Sequence, residues 1–197
     1  MDAIKLAKNI VRKEIKGVIN NMSQEEKVRQ SDTVCKKVFD LPEFQSSERI
    51  SIYLSTDNEI NTFPILAYLF KIGKQVFVPK YNGKNMMMVR LHSLEDFDNL
   101  PLTKWMIKQP NDNNREDALK TGGLDLIICP GVAFTRTGKR LGHGMGYYDK
   151  FMNNYYKCET VINKNPHLIG VCFNEQIKDD IPTSESDVTL DKVISEN

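Results

Sequence analysis

Apolar residues recur at three- and four-residue spacing near the start of the chain, at Ile4, Ala7, Val11, Ile15 and Val18. A stripe of this kind predicts a helix over residues 3–20 with these side chains inward. Ser23-Gln24-Glu25-Glu26 has the spacing of a capping box. It predicts a second helix with Val28, Val34, Val38 and Phe39 inward, ending before Pro42. The period then changes. RISIYLS (49–55), QVFVP (75–79) and MMMVRL (86–91) read as strands, with a helix over 62–72 between the first two. The Met86–Met88 run reads as strand packing. LDLIICP (124–130) and HLIGVCF (167–173) are near-continuous apolar runs, as expected of strands covered on both faces. A helix over 146–157 separates them. Strands alternating with helices predict an α/β fold: three α/β/α layers, a largely parallel sheet, and N-terminal helices preceding the first strand. A chain of 197 residues suits a single domain, here 1–197. The polar, turn-rich stretch KQPNDNNRED (108–117) reads as a surface loop.

Charge narrows the partners. The 27 basic residues nearly balance the 26 acidic ones, and extended nucleic-acid binding usually needs a basic excess. No apolar stretch approaches the length of a membrane span. The N-terminus lacks the apolar core of a signal peptide, so a cytoplasmic location is expected. None of the four cysteines, Cys35, Cys129, Cys158 and Cys172, forms a C-x-x-C pair, which argues against a zinc or redox site. Cys129 and Cys172 sit in apolar runs, where cysteine behaves as a small buried hydrophobe.

The chemistry concentrates in GKRLGHGMGYYD (138–149). Gly142, Gly144 and Gly146 alternate, then Tyr147, Tyr148 and Asp149 follow, with Lys139 and Arg140 just upstream. Glycines allow positive φ and close approach of a ligand to backbone N–H groups. A helix starting after Gly146 would add its N-terminal dipole. Such a loop suits a polyphosphate, with the two cations supplying charge and Asp149 holding a divalent ion. The dinucleotide fingerprint fails because position 147 is tyrosine, and no G-K-S/T of a P-loop occurs. A plain strand-to-helix turn is the competing reading.

PGVAFTRTGKRLGHGMGYYDKF (130–151) resembles the signature of the 5-formyltetrahydrofolate cyclo-ligases, also called methenyltetrahydrofolate synthetases. The similarity runs along nearly the whole chain, through AKNIVRKEI, YLSTDNEINT, TGGLDLIICPG, FNEQI and SESDVTLD. The resemblance implies ATP- and Mg2+-dependent closure of 5-formyltetrahydrofolate to 5,10-methenyltetrahydrofolate, with ADP and phosphate released. It implies small-molecule partners only (ATP and folate, polyglutamylated forms included), no nucleic acid, no membrane, and a monomer. Lys8 and Arg12, four apart on one helix face, match a nucleotide-binding pair; by themselves they would read as a solvated basic face. Arg140 and Tyr148 are given a part in catalysis. Lys8, Arg12, Lys139, Arg140, Gly142, His143, Gly144, Met145, Gly146, Tyr147 and Tyr148 are the implied nucleotide contacts. Leu54, Glu59, Trp105, His143, Gly144, Met145, Gly146 and Tyr147 are the implied folate contacts. Asp149 and Asp187 are the implied magnesium ligands. Glu59 suits the N–H edge of a pterin, with a loop charge as the alternative, and Trp105 and Tyr148 suit stacking on a flat ring, with buried core packing as the alternative. His143 and Met145 depart from vertebrate-type members, which carry basic residues at both positions. The alternatives are a folate- or nucleotide-binding protein without turnover, and an isomerase or transferase acting on a sugar phosphate or coenzyme A on a similar fold.

Overall fold

The structure is a computed structural model that describes residues 3–103, 106–161 and 164–197. Three helices come first: α1 (Ala3–Asn21), α2 (Gln24–Phe39) and α3 (Pro42–Ser46). Then follow β1 (Arg49–Ile52), α4 (Phe63–Lys71), the hairpin β2 (Gln75–Asn82) and β3 (Asn85–Leu91), and α5 (Leu94–Asp98). The second half holds β4 (Leu126–Cys129), β5 (Ala133–Phe134), β6 (Arg140–Leu141), α6 (Tyr147–Tyr155), β7 (His167–Val171) and β8 (Lys192–Ile194).

Six strands make one sheet in the order β3–β2–β1–β4–β7–β8. All neighbours pair in parallel except the β2–β3 hairpin. The α/β expectation therefore holds. Alternation along each strand divides the apolar residues between two cores. Ile50, Ile52, Val76, Val78, Leu126, Ile128, Ile169 and Val171 pack with side chains of α1 to α4. Phe77, Met88, Ile127, Cys129 and Leu168 pack on the other face with Phe151, Met152 and Tyr155 of α6. Period-2 strands covered on both faces account for the near-continuous apolar runs. Met86 and Met88 are core residues, as their strand position suggested.

The first two helices turn Val11, Ile15, Val34, Val38 and Phe39 to the core as expected, but each departs at particular residues. In α1 the buried residues are Ile15 and Ile19, while Ile4 and Val18 are exposed. From Val11 onward α1 reaches the core beneath it, and Lys8 and Arg12 turn toward other loops. In α2 Val28 is 50% exposed. The inner positions go instead to Lys27, Gln30 and Ser31, alongside Val34, Cys35 and Val38. These polar groups are buried because each is hydrogen-bonded: Lys27 to Asn58, Gln30 to Glu175 and Asn174, and Ser31 to the Asn61 amide. A hydrophobicity count has no means of finding them. The cap itself forms as its spacing predicts, with Ser23 Oγ accepting from Glu26 N at 3.1 Å.

The polar loop 108–117 is pinned at several points. Arg115 forks onto Asp96 and also reaches Asp112. The Gln109 side chain pairs with both backbone groups of Tyr81, where β2 runs beyond β1. No helix among the described residues is long and apolar enough to cross a membrane. The four cysteines are free. Burial pushes the thiols of Cys35, Cys129 and Cys172 up to about 12, so they behave as apolar filler.

The topology also locates a ligand site. From β1 the chain moves to β2 on one side, and β4 is added on the other. The strand order thus reverses between β1 and β4. A crevice opens at such a point beyond the carboxyl ends of the strands, where open α/β sheets bind ligands.

Candidate active site

The segment after β1 supplies Glu59. Its Oε2 accepts from Thr56 N and Thr56 Oγ1, both at 2.9 Å. That leaves Oε1 on the crevice side, where His143 Nε2 approaches to 3.4 Å. The segment after β4 supplies Gly131 and Val132. A cavity of about 340 Å³ lies between these two segments and α1. Its walls include Arg12, Ile15, Glu59, Val132, His143 and Gln176.

The short β5–β6 ribbon carries the cations. Arg140 is turned inward, and Lys139 just before it is turned toward the surface. Arg140 is 6% exposed. Its Nη1 donates to Pro130 O at 3.3 Å and its Nη2 to Asp149 Oδ1 at 2.9 Å. Its guanidinium lies 5.5 Å from the centre of the Tyr148 ring. Lys139 pairs with Asp180 at 2.6 Å, so it is not joined to the group around Asp149.

The glycine loop then enters α6. Gly144 has φ +116° and Gly146 has φ +64°, values that L side chains adopt only with strain. Gly146 is the N-cap, so the first amides of α6 follow directly from the loop. A Cβ at Gly142 would lie 3.0 Å from Arg140 Nη1, which places that guanidinium directly against the loop. From α1, Arg12 Nε donates to Gly142 O at 2.8 Å, and the guanidinium lies across Gly144. Burial lowers the Arg12 pKa, and the charge of Asp187 opposes that shift. Lys8 pairs with Asp187 at 2.5 Å. Lys8 and Arg12 therefore do work from one helix face, on two loops far away in sequence.

Asp149 Oδ1 also accepts from Val188 N at 3.1 Å, which brings Asp149 and Asp187 to one locality. Asp187 Oδ2 takes Lys8 and the Ser184 amide. Burial raises the Asp187 carboxyl, but Lys8 and the Ser184 amide outweigh it and leave it below the ordinary range. The hydrogen bonds among the described residues use only one oxygen of each acid. No cluster of three acidic, cysteine or histidine ligands occurs among the described residues. Two carboxylates with an oxygen apiece to spare fit Mg2+, which keeps waters and takes phosphate oxygens to complete its shell.

Tyr148 is buried, and its hydroxyl has no hydrogen-bond partner of good geometry among the described residues. Burial, reinforced by neighbouring Tyr81, holds its phenol well above the usual value. Its ring packs in the core. Tyr147 donates to Gly83 O at 2.8 Å and packs against Tyr81 with ring centres 4.8 Å apart. His143 and Met145 are exposed at the loop tip.

Leu54 lies in a neighbouring cavity of about 480 Å³, lined also by Phe63, Phe97, Leu102 and Met106. Thr56 lines both cavities. Trp105 lies outside the described residues. Two side chains missed from sequence also belong here. Lys150 Nζ donates to Met145 O, five residues earlier, at 3.1 Å across the start of α6. Gln176, within the FNEQI segment, lines the cavity and holds the β4 end.

The family model described as "5-formyltetrahydrofolate cyclo-ligase family" matches residues 4–196. A 5-formyltetrahydrofolate cyclo-ligase of Mus musculus is 42% identical over 194 residues, which cover 97% of this chain and 94% of the relative. A probable 5-formyltetrahydrofolate cyclo-ligase of Caenorhabditis elegans is 43% identical over 199 residues, covering 100% and 96%. The solved structure of Aquifex aeolicus 5,10-methenyltetrahydrofolate synthetase superposes with a TM-score of 0.77 at 28% identity, covering 96% of this chain and 89% of that one.

Proposed function

The chain belongs to the 5-formyltetrahydrofolate cyclo-ligase family, and on that premise we propose that its glycine loop delivers the terminal phosphoryl group of ATP to the formyl oxygen of 5-formyltetrahydrofolate. The protein is an enzyme that converts 5-formyltetrahydrofolate to 5,10-methenyltetrahydrofolate. A formamide is a poor electrophile because its nitrogen donates into the carbonyl. Phosphorylation of the formyl oxygen, with ADP leaving, makes that oxygen a leaving group. N10 then attacks the formyl carbon, the C–O bond breaks, phosphate departs, and N10 loses its proton. Positioning and charge stabilisation are what this sequence asks of a protein.

The residues divide the work by position. Arg12, the backbone of Gly142 to Gly146 and the N-terminus of α6 hold the phosphates, with Lys150 beside them. Lys8 joins them by exchanging Asp187 for a phosphate oxygen. Asp149 and Asp187 would hold Mg2+, whose chemistry is to neutralise phosphate charge. Buried Arg140 keeps Asp149 and the loop in place. Oε1 of Glu59 accepts from the pterin N–H edge, and the apolar cavity around Leu54 takes the aryl portion of the folate. The observation that carries this reading is one of geometry: Arg12 spans the glycine loop and lines the same cavity as Glu59, so phosphate and pterin sites share a wall.

The test is an assay with purified protein, ATP, Mg2+ and 5-formyltetrahydrofolate, following near-ultraviolet absorbance of the methenyl product. Product that needs both ATP and Mg2+ is expected. Product without ATP overturns the mechanism. Ligand binding without product assigns a non-catalytic role.

A further inference from the structure

Three successive peptide carbonyls leave the carboxyl end of β4, and side chains cover all three. Arg140 Nη1 donates to Pro130 O at 3.3 Å. Gln176 Nε2 donates to Gly131 O at 2.8 Å and to Val132 O at 3.1 Å. Gln176 is 4% exposed. Its Oε1 accepts from Phe173 N at 2.9 Å, which fixes the orientation of the amide and directs its NH2 group at the two carbonyls. The turn bearing Gln176 is itself anchored to α2, where Gln30 Oε1 accepts from Asn174 N at 2.8 Å.

Gly131, Val132 and Gln176 all line the cavity that also contains Arg12 and Glu59. Carbonyl oxygens at the carboxyl ends of parallel strands carry partial negative charge. Uncovered in a cavity wall of low dielectric, they repel an anion strongly. Beyond Val132 the same wall continues toward the loop, because Val132 N donates to Leu141 O at 2.7 Å and Arg12 holds Gly142 O.

We infer that Gln176 is a positioning residue for the nucleotide: by covering the Gly131 and Val132 carbonyls, it makes the β4 wall of the cavity tolerant of a polyphosphate. This rests on the ATP reading above. Gln176 acts through the two carbonyls and takes no part in bond making.

The experiment is calorimetric binding of ADP to the wild-type chain and to Gln176→Met, Gln176→Glu and Gln176→Lys. Binding of 5-formyltetrahydrofolate alone and melting temperatures are measured on the same samples. Met keeps the side-chain length and loses the donors, Glu puts an anion at the same place, and Lys retains a donor. ADP binding is expected to weaken about tenfold in Gln176→Met, further in Gln176→Glu, and less than about threefold in Gln176→Lys, with folate binding, which shares this cavity, weakened by a clearly smaller factor than ADP binding in Gln176→Met and Gln176→Glu. If Gln176→Met fails to fold, the Lys and Glu variants alone still decide the order. Wild-type ADP affinity in Gln176→Met overturns the inference. So does a parallel loss of both ligands that follows the fall in melting temperature, because that is the signature of a simple brace. A wild-type chain that binds no ADP overturns the ATP reading itself, and this inference with it.

Discussion

At the scale of single residues, burial decides how each side chain can be tested. Arg140 was legible as a cation of the loop, but its guanidinium is buried against Asp149 and Pro130 O. Arg140→Ala therefore removes one partner of a buried ion pair and is expected to cost about 3 kcal/mol of stability as well as turnover. Arg140→Lys keeps the charge, loses the fork, and should lower activity at a smaller cost in stability. Chemical denaturation run beside the assay checks both; an Arg140→Ala chain as stable as wild type would contradict the burial argument. Tyr148→Phe makes the opposite case. Its hydroxyl is buried without a partner of good geometry among the described residues. Removing it should leave stability within about 1 kcal/mol of wild type, or raise it. A fall in kcat with no loss of stability would assign that hydroxyl to the reaction. Asp149→Asn should shift the magnesium titration of activity to higher concentration, and an unchanged titration would remove Asp149 from the metal site.

At the scale of elements, the junction between the glycine loop and α6 is the most sensitive point. Gly146 caps the helix at φ +64°. Gly146→Ala forces an L side chain into that region and is expected to destabilise the chain by about 1 kcal/mol. It should weaken ADP binding by more than that strain implies, since the cap sets where the first α6 amides point. Calorimetry with ADP and a melting curve check the two effects separately. The glycine pattern was readable because only glycine takes such dihedrals cheaply. The polar inner positions of α2 were not readable, because Lys27, Gln30 and Ser31 are buried through hydrogen bonds to segments far away in sequence. The three-layer arrangement followed from strand–helix alternation. The distribution of helices did not, with α1 to α4 packed on one core and α6 on the other.

At the scale of the whole molecule, the two ends of the sheet have separate tasks. The carboxyl ends of β1 and β4 open into the cavity. The opposite ends are tied by Asp125, which accepts from Glu48 N and Arg49 N at 2.9 and 2.7 Å and pairs with Lys164 at 2.8 Å. Burial raises the Asp125 carboxyl, but Lys164 and the two amides outweigh it and leave its pKa below the usual range. Its contribution to stability is thus complete above the ordinary carboxylate pKa of about 4 and is lost as pH falls through the depressed folded value. Asp125→Ala is expected to cost about 2 kcal/mol and to flatten the acid limb of the stability–pH curve, with KM for both substrates unchanged. Altered KM values would show that the two ends are coupled.

The order of elements and the glycine loop could be read from the chain alone, because helix period, strand period and glycine's dihedral freedom are local properties written into neighbouring residues. Lys8 and Arg12 could be placed on one helix face for the same reason. Which loops they meet could not, since Lys8 reaches Asp187 and Arg12 reaches Gly142 only after the strands are ordered around the β1–β4 crevice. The same holds for Lys139, which meets Asp180, and for Gln176, whose amide meets the end of β4 across the molecule. Tertiary structure decided these because a side chain's partner depends on what the folded sheet brings within about 3 Å of it, and sequence spacing carries no information about that distance.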